Sequence, residues 1–295
     1  MNSVSIEPAD ARSEVEREAR TLFRWFNQQD DESAEGLEDE IVTDRPDFTE
    51  ASSTVGRGRW QIESGYTYIR DTAAGVNTRI HSLPEALLRV GVREWLELRM
   101  AQNYVDHEQL SALAPLTGKG PEDLYIGAKL GLTEQSGVLP EMALVPQATL
   151  PTVDDDDCGG QVMPGLNWLY GWDVNECISF GGSTQGNRSL DDACHSYLEL
   201  AQSLTVNYAI TEKLGAYTET FWFMPTGSVD PGVKPQYYAD GGFTYKVTRN
   251  LQFDIRAGVG WNNAADDYFT GAGVSYRMGK NTRDPIANLD PIVRR

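Results

Sequence analysis

The sequence has no run approaching the roughly 20 consecutive apolar residues that a membrane-crossing helix requires, which excludes a helical membrane protein. Basic residues are few beside acidic ones: 25 Lys and Arg stand against 44 Asp and Glu, a formal net charge of −19. Binding a phosphate backbone needs an excess of cationic side chains, so nucleic acid is excluded as a partner. Cysteine is scarce, with Cys158, Cys177 and Cys194 the whole complement. Three cysteines cannot build a disulfide framework, and their spacing lacks the close pairs of a zinc site. Histidine is equally scarce, at His81, His107 and His195. No phosphate loop, dinucleotide motif or metal-ligand cluster is present, so the sequence assigns no cofactor and no metal. His195 with Ser196 and Asp191 or Asp192 has the residue types of a hydrolase, but successive side chains on a strand point to opposite faces. No catalytic residue is therefore assigned, and the reading is of a non-enzyme.

What the chain does have is 13 Tyr, 7 Trp and 28 Gly, a mixture of interfacial aromatics and residues that let strands bend. From Trp60 onward the hydrophobic period is two. In Leu251–Trp261, the residues Leu251, Phe253, Ile255, Ala257, Val259 and Trp261 share one face. Gln252, Asp254, Arg256, Gly258 and Gly260 share the other. The same split sets Trp60, Ile62, Tyr66 and Tyr68 against Gln61, Glu63 and Thr67, and Leu96, Leu98 and Met100 against Glu97 and Arg99. Leu124, Ile126, Ala128 and Leu130 oppose Tyr125 and Lys129 in the same way. About twelve such segments of roughly ten residues fit a tilted bilayer crossing. The fold class is thus all-β: an antiparallel transmembrane β-barrel of about 12 strands. A secreted soluble β-protein, its apolar faces packed on one another, is the rival fold.

The connections alternate in length. Tight ones fall at Val92–Glu94, Asp173–Glu176, Thr211–Lys213 and Thr248–Asn250, with a longer one at Glu134–Leu139. Long polar loops are expected at Asp71–Ser82, Asp106–Pro121, Asp154–Gly160, Gln185–His195 and Gly227–Pro235. Short periplasmic turns opposite long outward loops is the outer-membrane pattern, and it puts both ends of the wall in the periplasm. Aromatics fall beside the two ends as girdles would: Trp60, Trp95, Trp172, Tyr208, Tyr245 and Tyr276 by the short turns, and Tyr68, Tyr104, Tyr197, Trp222, Tyr237, Trp261 and Tyr268 by the long loops.

Residues 1–44 read differently, as an acidic extension: an amphipathic helix over about Ala11–Asn27, then a disordered acidic run from Gln28 to Glu40. Its polar face is acidic, so a protein surface suits the apolar stripe better than anionic lipid does. The first twenty residues hold no apolar core of the kind an export signal needs. An outer-membrane address then requires a start upstream of residue 1 or a signal already removed, and this is the main feature that speaks against the membrane. Residues 45–58 are a lumenal plug or a linker, 59–278 the barrel, and 279–295 a C-terminal tail.

Several segments read together in the wording of a known family. TDRPDF at Thr43–Phe48, PEALLRVGV at Pro84–Val92, GLNWLYGW at Gly165–Trp172 and LQFDIRAGVGWNNAADDYFTGAGVSYR at Leu251–Arg277 resemble the outer-membrane transporter family named after the meta-pathway of phenol degradation. The resemblance spans Thr43 to about Met278 and implies an outer-membrane barrel that passes small, often aromatic, molecules. Members begin with an export signal and end near an aromatic residue on the last strand, whereas here an acidic segment precedes TDRPDF and Gly279–Arg295 follows the wall.

If the apolar faces meet lipid, the opposite faces line a lumen: Glu63, Glu85, Arg89, Glu97, Arg99, Lys129, Glu199, Glu219, Lys246, Asp254, Arg256 and Arg277. Mixed charge there suits either a structural ion-pair network or a water-containing passage. Arg45, Asp47 and Glu50 precede the first strand. In the plug reading Arg45 and Asp47 pair lumen charges and Phe48 fills apolar space. The acidic run Asp154–Asp157 is expected to be solvated, with binding of divalent cations that bridge lipid headgroups as the rival reading. Cys158 and Cys194 lie in neighbouring outward loops, where an oxidising compartment permits a disulfide between them. The leading function is a passive channel for small molecules, and the rival is a plugged structural or anchoring barrel. Its partners would be outer-membrane lipid, a small-molecule permeant, the barrel-assembly machinery, and a periplasmic partner reached by the N-terminal segment.

Overall fold

The structure is a computed structural model that describes residues 21–22, 40–73, 75–110, 116–153, 158, 160–191, 193–227 and 229–279. The expected helix at Ala11–Asn27 and acidic run at Gln28–Glu40 lie outside these residues, save Thr21, Leu22 and Glu40; Asp154–Asp157 and the tail after Gly279 lie outside them as well.

Among the described residues thirteen strands follow in chain order: β1 (Trp60–Ala73), β2 (Val76–Arg93), β3 (Leu96–Leu110), β4 (Leu116–Pro121), β5 (Leu124–Thr133), β6 (Glu141–Leu150), β7 (Met163–Asp173), β8 (Ile178–Leu190), β9 (Ser196–Ala209), β10 (Leu214–Thr226), β11 (Gln236–Thr248), β12 (Leu251–Gly260) and β13 (Tyr268–Met278). Each wall strand pairs antiparallel with its neighbours, and β13 pairs β1 from Trp60↔Met278 to Arg70↔Tyr268, closing the ring. β4 pairs only the outer part of β3, so the wall itself has twelve strands. Closure leaves no open edge, which is what a sheet surrounded by lipid requires.

Alternation sets the faces. Trp60, Ile62, Leu98, Leu204, Phe253, Ile255 and Val259 are exposed outward while Gln61, Glu63, Glu97, Ser203, Gln252 and Asp254 are buried inside. The outer surface is thus apolar and the interior polar, the reverse of a soluble barrel and the arrangement of a membrane-spanning one.

Three of the expected long loops are largely strand. β1 and β2 run through Asp71–Ser82 as a hairpin, β3 and β4 occupy most of Asp106–Pro121, and β8 continues to Leu190. At about 3.3 Å per residue the 18 residues of β2 reach far beyond an apolar band about 25 Å tall. Outside the bilayer both faces of a strand meet water, so the alternation that marks a strand in the sequence is lost there. Strand lengths accordingly exceed the expected ten residues in β1, β2, β3, β8, β9, β10 and β11.

Candidate functional site: a segment folded into the lumen

Before β1 the chain enters the barrel from the short-turn end and returns to it. At the mouth, Ile41 N–H donates to Arg249 O at 2.8 Å, Arg277 donates to Glu40 O, and Lys246 pairs with Glu40. Val42 O accepts from Gln61 at 2.8 Å. On the way back Thr54 donates to Glu94 O, and Gly58 and Arg59 exchange two 2.9 Å backbone bonds with Gly91. Between these ends the segment touches most of the ring: β1, β2, β3, β5, β6, β9, β10 and β12.

Asp44 is the hub of the first half. Arg99 reaches its carboxylate at 2.6 Å, Lys129 at 2.9 Å and Arg89 at 3.3 Å, and Ala51 N–H donates to it at 3.0 Å. Arg89, fully buried, also pairs Glu63 at 3.0 Å and Glu97 at 2.7 Å, with Val42 O and Ser53 O taking its remaining donors. Glu63 in turn accepts from the backbone N–H of Asp44 and Arg45. Lys129 donates to Ala51 O, Glu97 accepts from Val55 N–H, and Arg99 lies 3.2 Å from Glu50. Burial works against the Asp44 charge, but Arg89, Arg99 and Lys129 outweigh it and hold the carboxyl far below the usual carboxylate range. Wall and segment are a single ionic network, in which each charge has opposite charges as neighbours.

Arg45 lies over β1 and β13 and bridges the strands on either side of them, pairing Glu85 of β2 at 2.7 Å and Asp254 of β12 at 3.4 Å. Its guanidinium fits because Gly65 and Gly273 are direct partners across β1 and β13. A Cβ on either would lie 2.3 Å from an Arg45 atom, closer than any real contact. Gly65→Val is therefore expected to evict Arg45 and mimic Arg45→Ala: both should lower the heat-unfolding midpoint equally, and the double variant should add nothing.

The tip is different in character. Glu219 accepts from Phe48 N–H at 2.6 Å, Thr49 N–H at 2.8 Å and the Thr49 hydroxyl, which also meets Ser203. Pro46 O accepts from Arg256 at 2.9 Å. Phe48 stacks on Phe221 at 4.6 Å and 7°, Phe221 stacks on Tyr238 at 4.9 Å and 14°, and Phe223 and Phe269 close the sides. Ala265, from the loop before β13, packs on the same cluster. Asp47, expected to pair a lumen cation, has carboxylates for neighbours instead. Burial, then Glu219, Asp240 and Asp44, push its carboxyl well above the usual range.

The remaining expected site residues divide. Glu85, Asp254, Arg256 and Glu219 meet the segment's middle and tip, whereas Lys246 and Arg277 serve its entrance. Glu199 stands apart, near the outer rim, where Tyr197 donates to it at 3.4 Å. Tyr197 shares that inward face, so it is no member of a lipid-facing girdle. Cys158 and Cys194 are bonded, their Cα atoms 5.3 Å apart. Asp191 caps the turn leading into β9, accepting from Ala193 and His195 N–H and lying 3.5 Å from the His195 ring, while the Ser196 hydroxyl accepts from Arg188; among the described residues no hydrogen bond joins His195 to Ser196.

Two kinds of residue were not singled out in the sequence. Asp44 stood at the edge of the acidic extension, although its place in TDRPDF marks it. The inward aromatics Phe221, Phe223, Tyr238 and Phe269 share strand faces with Glu219, Asp240 and Arg277, so parity from those charges identifies them.

The model of the family described as "Putative MetA-pathway of phenol degradation" matches residues 43–278. Among solved structures, the COG4313 outer membrane channel from Pseudomonas putida F1 superposes with a TM-score of 0.56 at 12% identity, over 79% of this chain and 99% of that one. The translocator domain of the autotransporter NalP from Neisseria meningitidis gives 0.51 at 11% identity, over 76% and 89%. No curated protein sequence matches the chain. The family match covers the inward segment from Thr43 onward and the whole twelve-stranded wall, and the chain is an outer-membrane β-barrel belonging to that phenol-degradation family.

Proposed function

We propose that the chain is a passive outer-membrane channel for small aromatic or hydrophobic molecules, with residues 41–59 acting as a plug at its periplasmic end. The observation that carries this reading is the division of the lumen. The plug's stem is locked by the Asp44 cluster, whereas its tip places Phe48 in a stack with Phe221 and Tyr238. Such a wall binds flat apolar solutes through ring stacking worth about 0.5–1.5 kcal/mol per pair beyond burial, weak enough for release. Asp240, Arg256 and Glu219 beside it keep the passage wetted. The structural neighbour from Pseudomonas putida, called an outer membrane channel, supports the channel part of this reading.

The test is single-channel current in the presence of a small aromatic alcohol. Brief solute-dependent interruptions are expected, and Phe221→Ala should abolish them while ionic conductance is kept. Interruptions that survive Phe221→Ala, or that a sugar of equal size produces as well, would contradict the aromatic assignment. The density of the ionic network favours a second reading, a sealed barrel that anchors or stiffens the membrane; folded, inserted protein that passes no current, with or without the plug, would select it.

A further inference from the structure

The outward face of the extended hairpin β1–β2 carries a pair that the wall does not need. Arg70 lies directly opposite Arg79 in the strand register. Both face outward: Ile69 packs inward on the Phe221 cluster, and Tyr68, on the same face as Arg70, meets the His81 ring at 4.9 Å. Like charges directly opposite each other on one face of a sheet are destabilising. Neither guanidinium makes a hydrogen bond or ion pair with any described residue. Glu108 is the register neighbour of Arg79 on its far side but makes no ion pair with it, and the row below holds His81, Asp106 and Lys119.

Height on the barrel supplies the second half of the argument. Arg70 sits beside Tyr268 and one two-residue step beyond Tyr68, about 7 Å farther out along the strand. Tyr268, Tyr237 and Trp261 are exposed, and with the half-buried Tyr68 they form the outward girdle, which marks the level of the lipid headgroups. A pair of arginines just above that level meets the phosphate layer of the outer leaflet. Guanidinium groups bind phosphate oxygens in a two-pronged fashion, and one phosphate between the two would turn their repulsion into a clamp. We propose that Arg70 and Arg79 form a binding site for the phosphate of an outer-leaflet glycolipid, whose acyl chains lie along the apolar band below.

The probe is diphosphorylated lipid A, titrated into the full chain refolded in neutral detergent, with the heat-unfolding midpoint as readout. Lipid A is expected to raise the midpoint by several degrees. Arg70→Gln with Arg79→Gln should at least halve that rise. Without lipid the double variant should be as stable as the parent or slightly more so, because the repulsion is gone. Arg188→Gln, which alters an outward arginine already bonded to Ser196 and Gln161, should keep the full rise. The proposal is overturned if the double variant responds like the parent or the parent does not respond. An equal rise from dephosphorylated lipid A would show binding by the chains alone, and an equal rise from inorganic phosphate would show a free-anion site; either result also overturns it.

Discussion

Asp44→Ala is expected to raise the open fraction of the channel by roughly two orders of magnitude. Asp44 is the one segment residue that meets Arg89, Arg99 and Lys129 together, and its carboxylate also fixes the return of the chain through Ala51 N–H. Removing one partner of a buried ion pair costs about 3 kcal/mol or more, and about 3 kcal/mol is a factor of roughly 150 in a docked-to-undocked ratio. The wall keeps its own pairs between Arg89, Glu63 and Glu97, so the barrel should still fold. Recordings from the variant in a planar bilayer check this, with Asp44→Asn as the isosteric companion. Acid should imitate the substitution. The Asp44 carboxyl is held below its unfolded value, so the stability it contributes is present above the ordinary carboxylate range and is lost as pH falls through its lowered value.

The second large effect concerns the wall. Arg89→Met keeps length and apolar volume but strips Glu97 of its bidentate partner, Glu63 of a charged donor, and Val42 O and Ser53 O of a donor. Both carboxylates are fully buried. A loss of about 3–5 kcal/mol is expected from leaving such charges uncompensated, seen as a lower urea midpoint for unfolding from detergent. Changing Glu97 to Gln in the same chain should restore part of the loss, because one stranded charge is then neutral. No loss in Arg89→Met would mean that Arg99 and Lys129 carry the network without it.

The wall was legible because its lipid-facing positions recur every second residue, as in β12, where Phe253, Ile255 and Val259 leave Gln252, Asp254 and Arg256 to the inside. The outer halves of β1, β2 and β3 were not legible, since residues such as Asp71, Thr72 and Asp106 sit where water meets both faces. Phe221, Trp222 and Phe223 hid an inward aromatic wall by being consecutive: a run of aromatics does not say which of them face lipid. The inward path of residues 41–59 could be proposed from Arg45 and Phe48 but not routed. A loop without period two leaves no trace of which wall it meets, and the wall partners of Asp44 lie 19 to 85 residues away in sequence.

The most direct test of the account compares single-channel current from the full chain with that from a variant lacking Thr43–Glu50, both refolded in detergent and inserted into a planar bilayer. The account predicts rare or small openings in the full chain, steady and several-fold larger steps in the deletion, and a lower heat-unfolding midpoint for the deletion. Equal conductance together with equal heat stability would contradict it, because a segment that neither blocks the lumen nor braces the wall is no plug.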